Sequence, residues 1–387
     1  MYRIRLMNKI AKVGLDALSP ADYQIGEDLE NPDGMLVRSA DLHNMEFGEN
    51  LLAIARAGAG VNNIPVEDCA KRGIVVFNTP GANANAVKEL VLAGLLLASR
   101  DVVGGIEWVK SLQGQEGVAK LVEKGKNQFV GPEVAGKTLG VIGLGAIGVM
   151  VANAAQHLGM HVLGYDPYIS VKSAWGLDRR VVHVSSLDEL YKNCDYITLH
   201  LPLMDSTRGT INAEALAHCK DGVRILNFAR GALVDTQALK DGLASGKIAR
   251  YVTDFPDESI LGLTGVIPIP HLGASTPESE ENCAAMAGSE LNDYLRYGNI
   301  VNSVNLPSVE MPPSDAQRVC IIHHNVPQML SRFSALFGDA GLNIANLLNK
   351  SRGEIAYTLI DADGEVNDAI VNAIKAIDGV IRVRVIR

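Results

Sequence analysis

Residues Leu139 to Asp166 constrain the fold of this chain more than any other stretch. Leu139-Gly140-Val141-Ile142 has the length and apolarity of a buried strand, and Gly143-Leu144-Gly145-Ala146-Ile147-Gly148 follows it without a gap. The apolar run Val149 to Leu158 predicts a helix, and Met160-His161-Val162-Leu163-Gly164-Tyr165 a second strand ending at Asp166. Strand, glycine turn, helix and strand in this order predict a βαβ unit with parallel strands. Gly143 permits the tight turn, Gly145 lets the backbone approach a pyrophosphate, and Gly148 lets the helix lie close to the sheet. The helix N-terminus then offers unpaired N–H groups to phosphates. Asp166, 18 residues beyond Gly148, is placed to accept hydrogen bonds from a ribose, and its charge repels a 2′-phosphate. The reading is a dinucleotide site for NAD rather than NADP. The plainer alternative is a solvated residue opening the Asp166-Pro167 turn.

At 387 residues the chain exceeds the roughly 250–300 that one core supports. Its 47% hydrophobic and 20% charged content suits large packed cores. A net charge of −9 argues against nucleic acid or anionic membrane as partners. The longest apolar run, Leu90 to Ala98, is too short for a membrane span. Met1-Tyr2-Arg3-Ile4-Arg5 leads into no signal-type core, so a cytoplasmic location is expected. Cys69, Cys194, Cys219, Cys283 and Cys320 are scattered without a C-x-x-C pair, which suits buried reduced thiols. No metal-ligand spacing is present, and no metal is expected.

Strand-like segments such as Leu51–Ala55, Ile74–Asn78, Tyr196–His200 and Val223–Asn227 alternate with helical ones through the first 300 residues. This pattern predicts an α/β protein with parallel sheets. The expected nucleotide-binding domain, a Rossmann-type doubly wound sheet, spans residues 93–271. A flavodoxin-like substrate domain spans 1–92 and is completed by 272–305, with a cleft between the two. Leu306 to Ser314 and on to 317 is rich in Pro and Ser and reads as a linker. Residues 318–387 read strand, helix, strand, strand, helix, strand, a ferredoxin-like βαββαβ module.

Three further segments fall at predicted strand ends: Asn227-Phe228-Ala229-Arg230-Gly231, Thr253-Asp254-Phe255-Pro256-Asp257-Glu258, and Pro270-His271-Leu272-Gly273. Strand ends face the ligand crevice of an open α/β sheet. Their residue types suit hydride removal from a hydroxy acid. A guanidinium, Arg230, can hold a carboxylate in two parallel hydrogen bonds. An imidazole, His271, can take the hydroxyl proton. A carboxylate, Glu258, can orient that imidazole. His200-Leu201-Pro202, also at a strand end, lines the expected cofactor cleft. His43, His157, His161, His183 and His218 read as structural.

Taken in order, Gly143–Gly148, Asp166, the Arg230 segment and Pro270-His271-Leu272-Gly273 resemble the signature of the D-2-hydroxyacid dehydrogenase family. Val37-Arg38-Ser39, Pro270–Thr276 and the C-terminal module are similar to the phosphoglycerate-oxidising branch, and the likeness runs from about Met35 to Arg387. It implies Arg230 as carboxylate binder, His271 as acid/base and Glu258 as its partner. It implies NAD held by Gly143, Gly145, Ala146, Ile147, Gly148, Asp166, His200, Pro202, Ala229, Asp254 and Gly273, with Asp254 at the nicotinamide carboxamide. Between the aromatic and the Glu one residue fewer is present than is usual, and Ser259 follows where the family has Pro. Asp257 is therefore the alternative to Glu258. Ala146 stands where many members carry a longer polar side chain.

The implied activity is NAD-dependent oxidation of 3-phosphoglycerate to 3-phosphohydroxypyruvate on the route to serine. The alternatives are reduction of glyoxylate, hydroxypyruvate or another 2-keto acid, and a non-catalytic NAD-sensing protein. A phosphate needs a local basic pocket in an acidic chain, and the likeness points to Arg38, Ser39, Gly58 and Asn83; ordinary surface cations and turns are the alternative. The C-terminal module resembles an ACT domain, which implies a homo-oligomer and an L-serine effector on His323, Asn325 and Asn343. Gln328 stands where glycine is usual, and a dimerisation module without a ligand is the other reading.

Overall fold

The computed structural model describes residues 1–386, which divide into two compact units, residues 1–83 with 277–386 and residues 84–276. In the first, β1 (Tyr2–Leu6), β2 (Tyr23–Gly26), β3 (Gly34–Val37), β4 (Ala53–Arg56) and β5 (Val75–Phe77) form a parallel sheet in the order β2-β1-β3-β4-β5. That is the flavodoxin order. The inner strands β3 and β4, with β5, are short and mostly apolar and buried because both sheet faces are covered there, whereas β1 and β2 carry Arg3, Arg5 and Gln24. On one face the helix Pro277–Tyr297 packs Ala284, Ala287, Leu291, Tyr294 and Leu295 against Ile4, Leu36, Ala53 and Ala55. A Cβ on Gly288 would lie 1.9 Å from the Gly14 carbonyl oxygen, so this helix can cross the Gly14 loop only with glycine there.

The second unit holds β6 (Thr138–Ile142), β7 (His161–Tyr165), β8 (Val182–His183), β9 (Tyr196–Leu199), β10 (Val223–Asn227), β11 (Ile248–Thr253) and β12 (Val266–Pro268). All are parallel, in the order β12-β11-β10-β9-β6-β7-β8. The chain runs outward from β6 to β8, then restarts at β9 beside β6 and runs the other way. The sheet is doubly wound, and β6 and β9 flank its switch point. Its two faces carry separate cores, one around Leu139, Val141, Val151 and Leu226, the other around Ile142, Ile197, Leu199 and Ile225. The alternation of neighbouring residues between the cores is the period-2 signature of a strand covered on both sides. The helix Ala84–Ser99 opens this unit, running across the residue 92/93 boundary expected from sequence.

In the first unit β13 (Gln317–His324), β14 (Asn343–Arg352), β15 (Ile355–Asp363) and β16 (Val380–Ile386) make an antiparallel sheet in the order β14-β15-β13-β16. With the helices Met329–Asp339 and Asp368–Lys375 the topology is βαββαβ. Val319, Ile321, Ile360 and Ala362 face Phe333, Phe337, Ile370 and Ile374. The other face, Cys320, Ile322, Tyr357 and Leu359, joins the core of Tyr294, Leu295, Ile300 and Leu306. Arginines complete the attachment. Arg384 donates to Tyr294 O and Leu295 O at 2.6 and 3.0 Å, and Arg318 to Tyr297 O at 2.8 Å while its fork holds Asp361 at 2.7 and 3.0 Å. These carbonyls end the helix Pro277–Tyr297, where cations are favoured.

The segment expected as a linker, 306–317, has no helix, and strand only at Gln317 where β13 begins, but Leu306, Val309 and Met311 are buried. Ile300 and Val309 exchange backbone hydrogen bonds at 2.8 and 3.0 Å. Proline and serine content gives no sign of the three apolar side chains that dock. All five cysteines are buried and unpaired. No helix among the described residues is long and apolar enough to cross a membrane.

Candidate active site

In the unit of residues 84–276, each candidate side chain comes from a loop at the carboxyl end of a parallel strand. Gly143–Gly148 follow β6, Asp166 follows β7, His200 and Pro202 follow β9, Ala229 and Arg230 follow β10, Asp254 to Glu258 follow β11, and His271 and Gly273 follow β12. One sheet edge therefore presents both a dinucleotide turn and a set of acid/base groups.

Gly143 has φ +92°, and a Cβ there would stand 2.6 Å from His200 O. A Cβ on Gly148 would stand 1.9 Å from Gly143 O, so both positions require glycine. A Cβ on Gly145 would meet nothing within 4 Å, which leaves the approach to the backbone open. The helix Ala146–His157 starts at this point, and its first N–H groups have no intrahelical acceptors. Ala146 contributes backbone only. Asp166 accepts from Leu144 N at 2.8 Å and Tyr168 N at 2.9 Å. That fixes the carboxylate at the end of β7 beside the glycine turn, with lone pairs left for a ribose. His200 bonds Thr198 Oγ1 at 3.0 Å, and burial pushes its pKa down to about 4, so the ring is neutral at physiological pH.

Asp254 is almost fully buried, and its Oδ1 has no hydrogen-bond partner among the described residues. Such an acceptor costs about 1–3 kcal/mol unless a donor arrives. A carboxamide N–H is a donor of the right kind, and the glycine turn, Asp166 and Asp254 together fit NAD. Burial raises the Asp254 pKa, while the nearby His271 and Arg230 charges oppose the rise.

Arg230 and His271 are exposed, and one ring touches both. The Arg230 guanidinium lies 5.6 Å from the Phe255 centroid, and the His271 ring 4.5 Å from it at 48°. Below them, buried Asn227 donates to Arg230 O at 2.9 Å and accepts from Ala229 N at 3.2 Å, which fixes the loop bearing Arg230. Glu258 is exposed and has no hydrogen bond or ion pair among the described residues, so the structure does not join it to His271. Asp257 is engaged with the N–H and hydroxyl of Ser259. Both carboxylates are exposed.

The remaining candidates lie in the other unit. Arg38 and Ser39 follow β3; Asn8 Oδ1 accepts from the N–H groups of Arg38, Ser39 and Ala40 at 3.1, 3.0 and 2.9 Å and shapes that turn. Gly58 follows β4 with φ +155°, and Asn83 is half-buried at the end of its segment. Sequence reasoning passed over Arg56, whose guanidinium lies against Gly58 and whose Nε donates to Arg38 O at 3.2 Å. Its signal was available: like Arg38 and Arg230, it ends an apolar strand before a turn. Asn8 and Phe255 had no such signal, because their roles depend on loops meeting in space.

The three effector candidates are not assembled within the chain. His323 pairs opposite Ala356 and Asn343 opposite Asp363, seven residues along β15, or roughly 23 Å. The His323 ring is buried and bonded to Thr358 Oγ1 at 2.9 Å and His324 O at 2.8 Å. Asn325 donates to Gly353 O at 3.3 Å and Asn343 to Asp363 Oδ2 at 2.8 Å. The spacing along the sequence gave no measure of this separation.

Comparison with known proteins agrees with the geometry. Residues 92–273 match the NAD-binding domain of the D-isomer-specific 2-hydroxyacid dehydrogenases. The chain is 34% identical over 362 residues to a D-3-phosphoglycerate dehydrogenase of Haemophilus influenzae, covering 88% of this chain and 83% of that protein. It is 36% identical over 315 residues to the D-3-phosphoglycerate dehydrogenase of Methanocaldococcus jannaschii, covering 79% of this chain and 58% of that protein. Among solved structures it resembles the NAD+-bound 3-phosphoglycerate dehydrogenase of Entamoeba histolytica, with a TM-score of 0.60 and 28% identity over 79% of this chain and 98% of the other. The chain belongs to the NAD-binding D-isomer-specific 2-hydroxyacid dehydrogenases.

Proposed function

We propose that the protein oxidises D-3-phosphoglycerate to 3-phosphohydroxypyruvate with NAD, in the cytoplasm, as a step toward L-serine. The observation that carries the chemistry is the grouping of Arg230, Phe255, His271 and Asp254 on the sheet edge that also bears the glycine turn. Bound NAD supplies the hydride acceptor. Arg230 clamps the substrate carboxylate, which orients the C2 hydrogen. His271 removes the hydroxyl proton, and an exposed imidazole between strand ends can return it to water. Glu258, free of competing bonds, is the proposed partner of the imidazolium, and Asp257, tied to Ser259, is the weaker candidate. Asp254 holds the nicotinamide amide. Arg38, Ser39, Gly58 and Asn83, with Arg56, are proposed to hold the substrate's far anionic end. Identities of 34% and 36% to D-3-phosphoglycerate dehydrogenases support this substrate over other 2-hydroxy acids.

A homo-oligomer is the expected state. The helix Val102–Ser111 has no buried residue and exposes Val102, Ile106 and Val109 along one face, a pattern that is costly in a monomer. L-Serine is the proposed effector of the C-terminal module, and with His323 and Asn343 far apart such a site needs residues from two chains. NADH oxidation on addition of 3-phosphohydroxypyruvate tests the activity. Calorimetry with L-serine tests the effector, and no heat at millimolar serine leaves the module structural.

A further inference from the structure

Glu280 takes no part in the chemistry above, yet its Oε1 is 2.5 Å from Arg38 Nη2. Arg38 and Arg56 stand at the ends of adjacent strands, with Val37 paired to Arg56. The Arg56 guanidinium is half-buried and has no carboxylate partner among the described residues. Burial is the main reason its pKa is lowered, and the Arg38 charge adds to it. A Cβ on Gly58 would lie 2.5 Å from Arg56 Nη1, so the guanidinium is laid across the turn. In that turn the N–H groups of Ala59 and Gly60 donate to nothing among the described residues. Two guanidiniums and two free N–H groups form a cradle for a dianion. Glu280, on the first turn of the helix Pro277–Tyr297, places a carboxylate on one of those guanidiniums, where a phosphate oxygen would bind.

We propose that Glu280 is a built-in competitor for the substrate's phosphate. It is a positioning residue that holds Arg38 extended and, by cancelling one of two positive charges, sets the affinity of the cradle for dianions. The inference rests on the substrate reading above. It assigns to this chain a weaker ground-state grip on phosphate than its two arginines alone would give. Because the charge acts on binding of the phosphate and not on the bond that breaks, its effect falls on KM rather than kcat.

The test compares Glu280→Gln, which keeps the hydrogen bond to Arg38 and removes the charge, with Glu280→Asp, which keeps the charge. One unit charge a few ångströms from a dianion is worth about a five- to fiftyfold change in binding at the polar surface. The expected result is a KM for 3-phosphoglycerate lowered by about that factor in Glu280→Gln, with inhibition by inorganic phosphate tightened in parallel. Glu280→Asp should stay near the parent. The inhibition constant of D-glycerate, which reports the carboxylate end alone, should move less than about twofold. An unchanged or raised KM in Glu280→Gln overturns the proposal, as does an equal gain for D-glycerate. If the parent does not turn over 3-phosphoglycerate at all, the substrate reading fails. Calorimetric binding of inorganic phosphate then decides this proposal by itself, supported by tighter binding to Glu280→Gln and overturned by equal binding.

Discussion

Phe255 gives two exposed and chemically different side chains, Arg230 and His271, a common surface, so each can be ordered without being buried. Replacing His271 with Asn keeps the ring contact's shape roughly and removes the proton acceptor. The expected outcome is a kcat lower by about a hundredfold to ten-thousandfold with NAD affinity retained, measured by steady-state kinetics and cofactor titration. Asp166→Ala should relax the preference for NAD over NADP, since it removes both the ribose acceptor and the repulsion of a 2′-phosphate; equal discrimination by parent and variant would remove Asp166 from that role. A different carboxyl carries a pH signature. Glu290 is buried with only Asn302 Nδ2 at 2.7 Å, and burial raises its pKa to about 8. Because the folded state keeps this proton while the unfolded state releases it near 4.5, the associated stability is present below about pH 4.5 and is lost as pH rises to about 8. The slope is at most about 1.4 kcal/mol per pH unit. Urea midpoints of Glu290→Gln should fall less than the parent's between pH 5 and 8, and parallel profiles would count against the buried neutral acid.

At the scale of elements, much was readable in the sequence because local pattern and tertiary role coincide. β6, the glycine turn and β7 are where the apolar runs and glycines placed them, and so are the four strands and two helices of the C-terminal module. The helix after the turn begins at Ala146 rather than Val149, since glycine at 148 is needed for packing and does not end the helix. What stayed hidden depends on contacts distant in sequence: Phe255 between Arg230 and His271, Asn8 under Arg38, and arginines of β13 and β16 on carbonyls of the helix Pro277–Tyr297. The Glu258 turn was legible as irregular, but the exposure of its carboxylate was not. Gln328 shows a partial signal. The sequence has a side chain where glycine is usual, and the backbone there adopts φ +71°. A left-handed non-glycine residue costs about 1 kcal/mol, so Gln328→Gly should raise the urea midpoint by a corresponding amount. A lower midpoint would mean that the Gln328 side chain contributes more than the strain removes.

For the whole molecule, the C-terminal module is a built-in part of its unit rather than a tethered one. Cys320, Ile322, Tyr357 and Leu359 share a core with Tyr294, Leu295 and Leu306, so truncation after Leu306 should expose that core and lower the thermal midpoint of residues 1–306 by several degrees in a calorimetric scan. An unchanged midpoint would show that the two parts fold independently. The same arrangement gives the module a mechanical link to the helix Pro277–Tyr297, whose first turn holds Glu280 against Arg38. The central claim is that this assembly oxidises a phosphorylated 2-hydroxy acid with NAD. It is tested most directly by kcat/KM for NADH with 3-phosphohydroxypyruvate, hydroxypyruvate and glyoxylate, measured side by side in one preparation. The account requires 3-phosphohydroxypyruvate to exceed the other two by at least about tenfold and the advantage to shrink in Arg56→Ala. Preference for an unphosphorylated keto acid, or no turnover of any of the three, would contradict it.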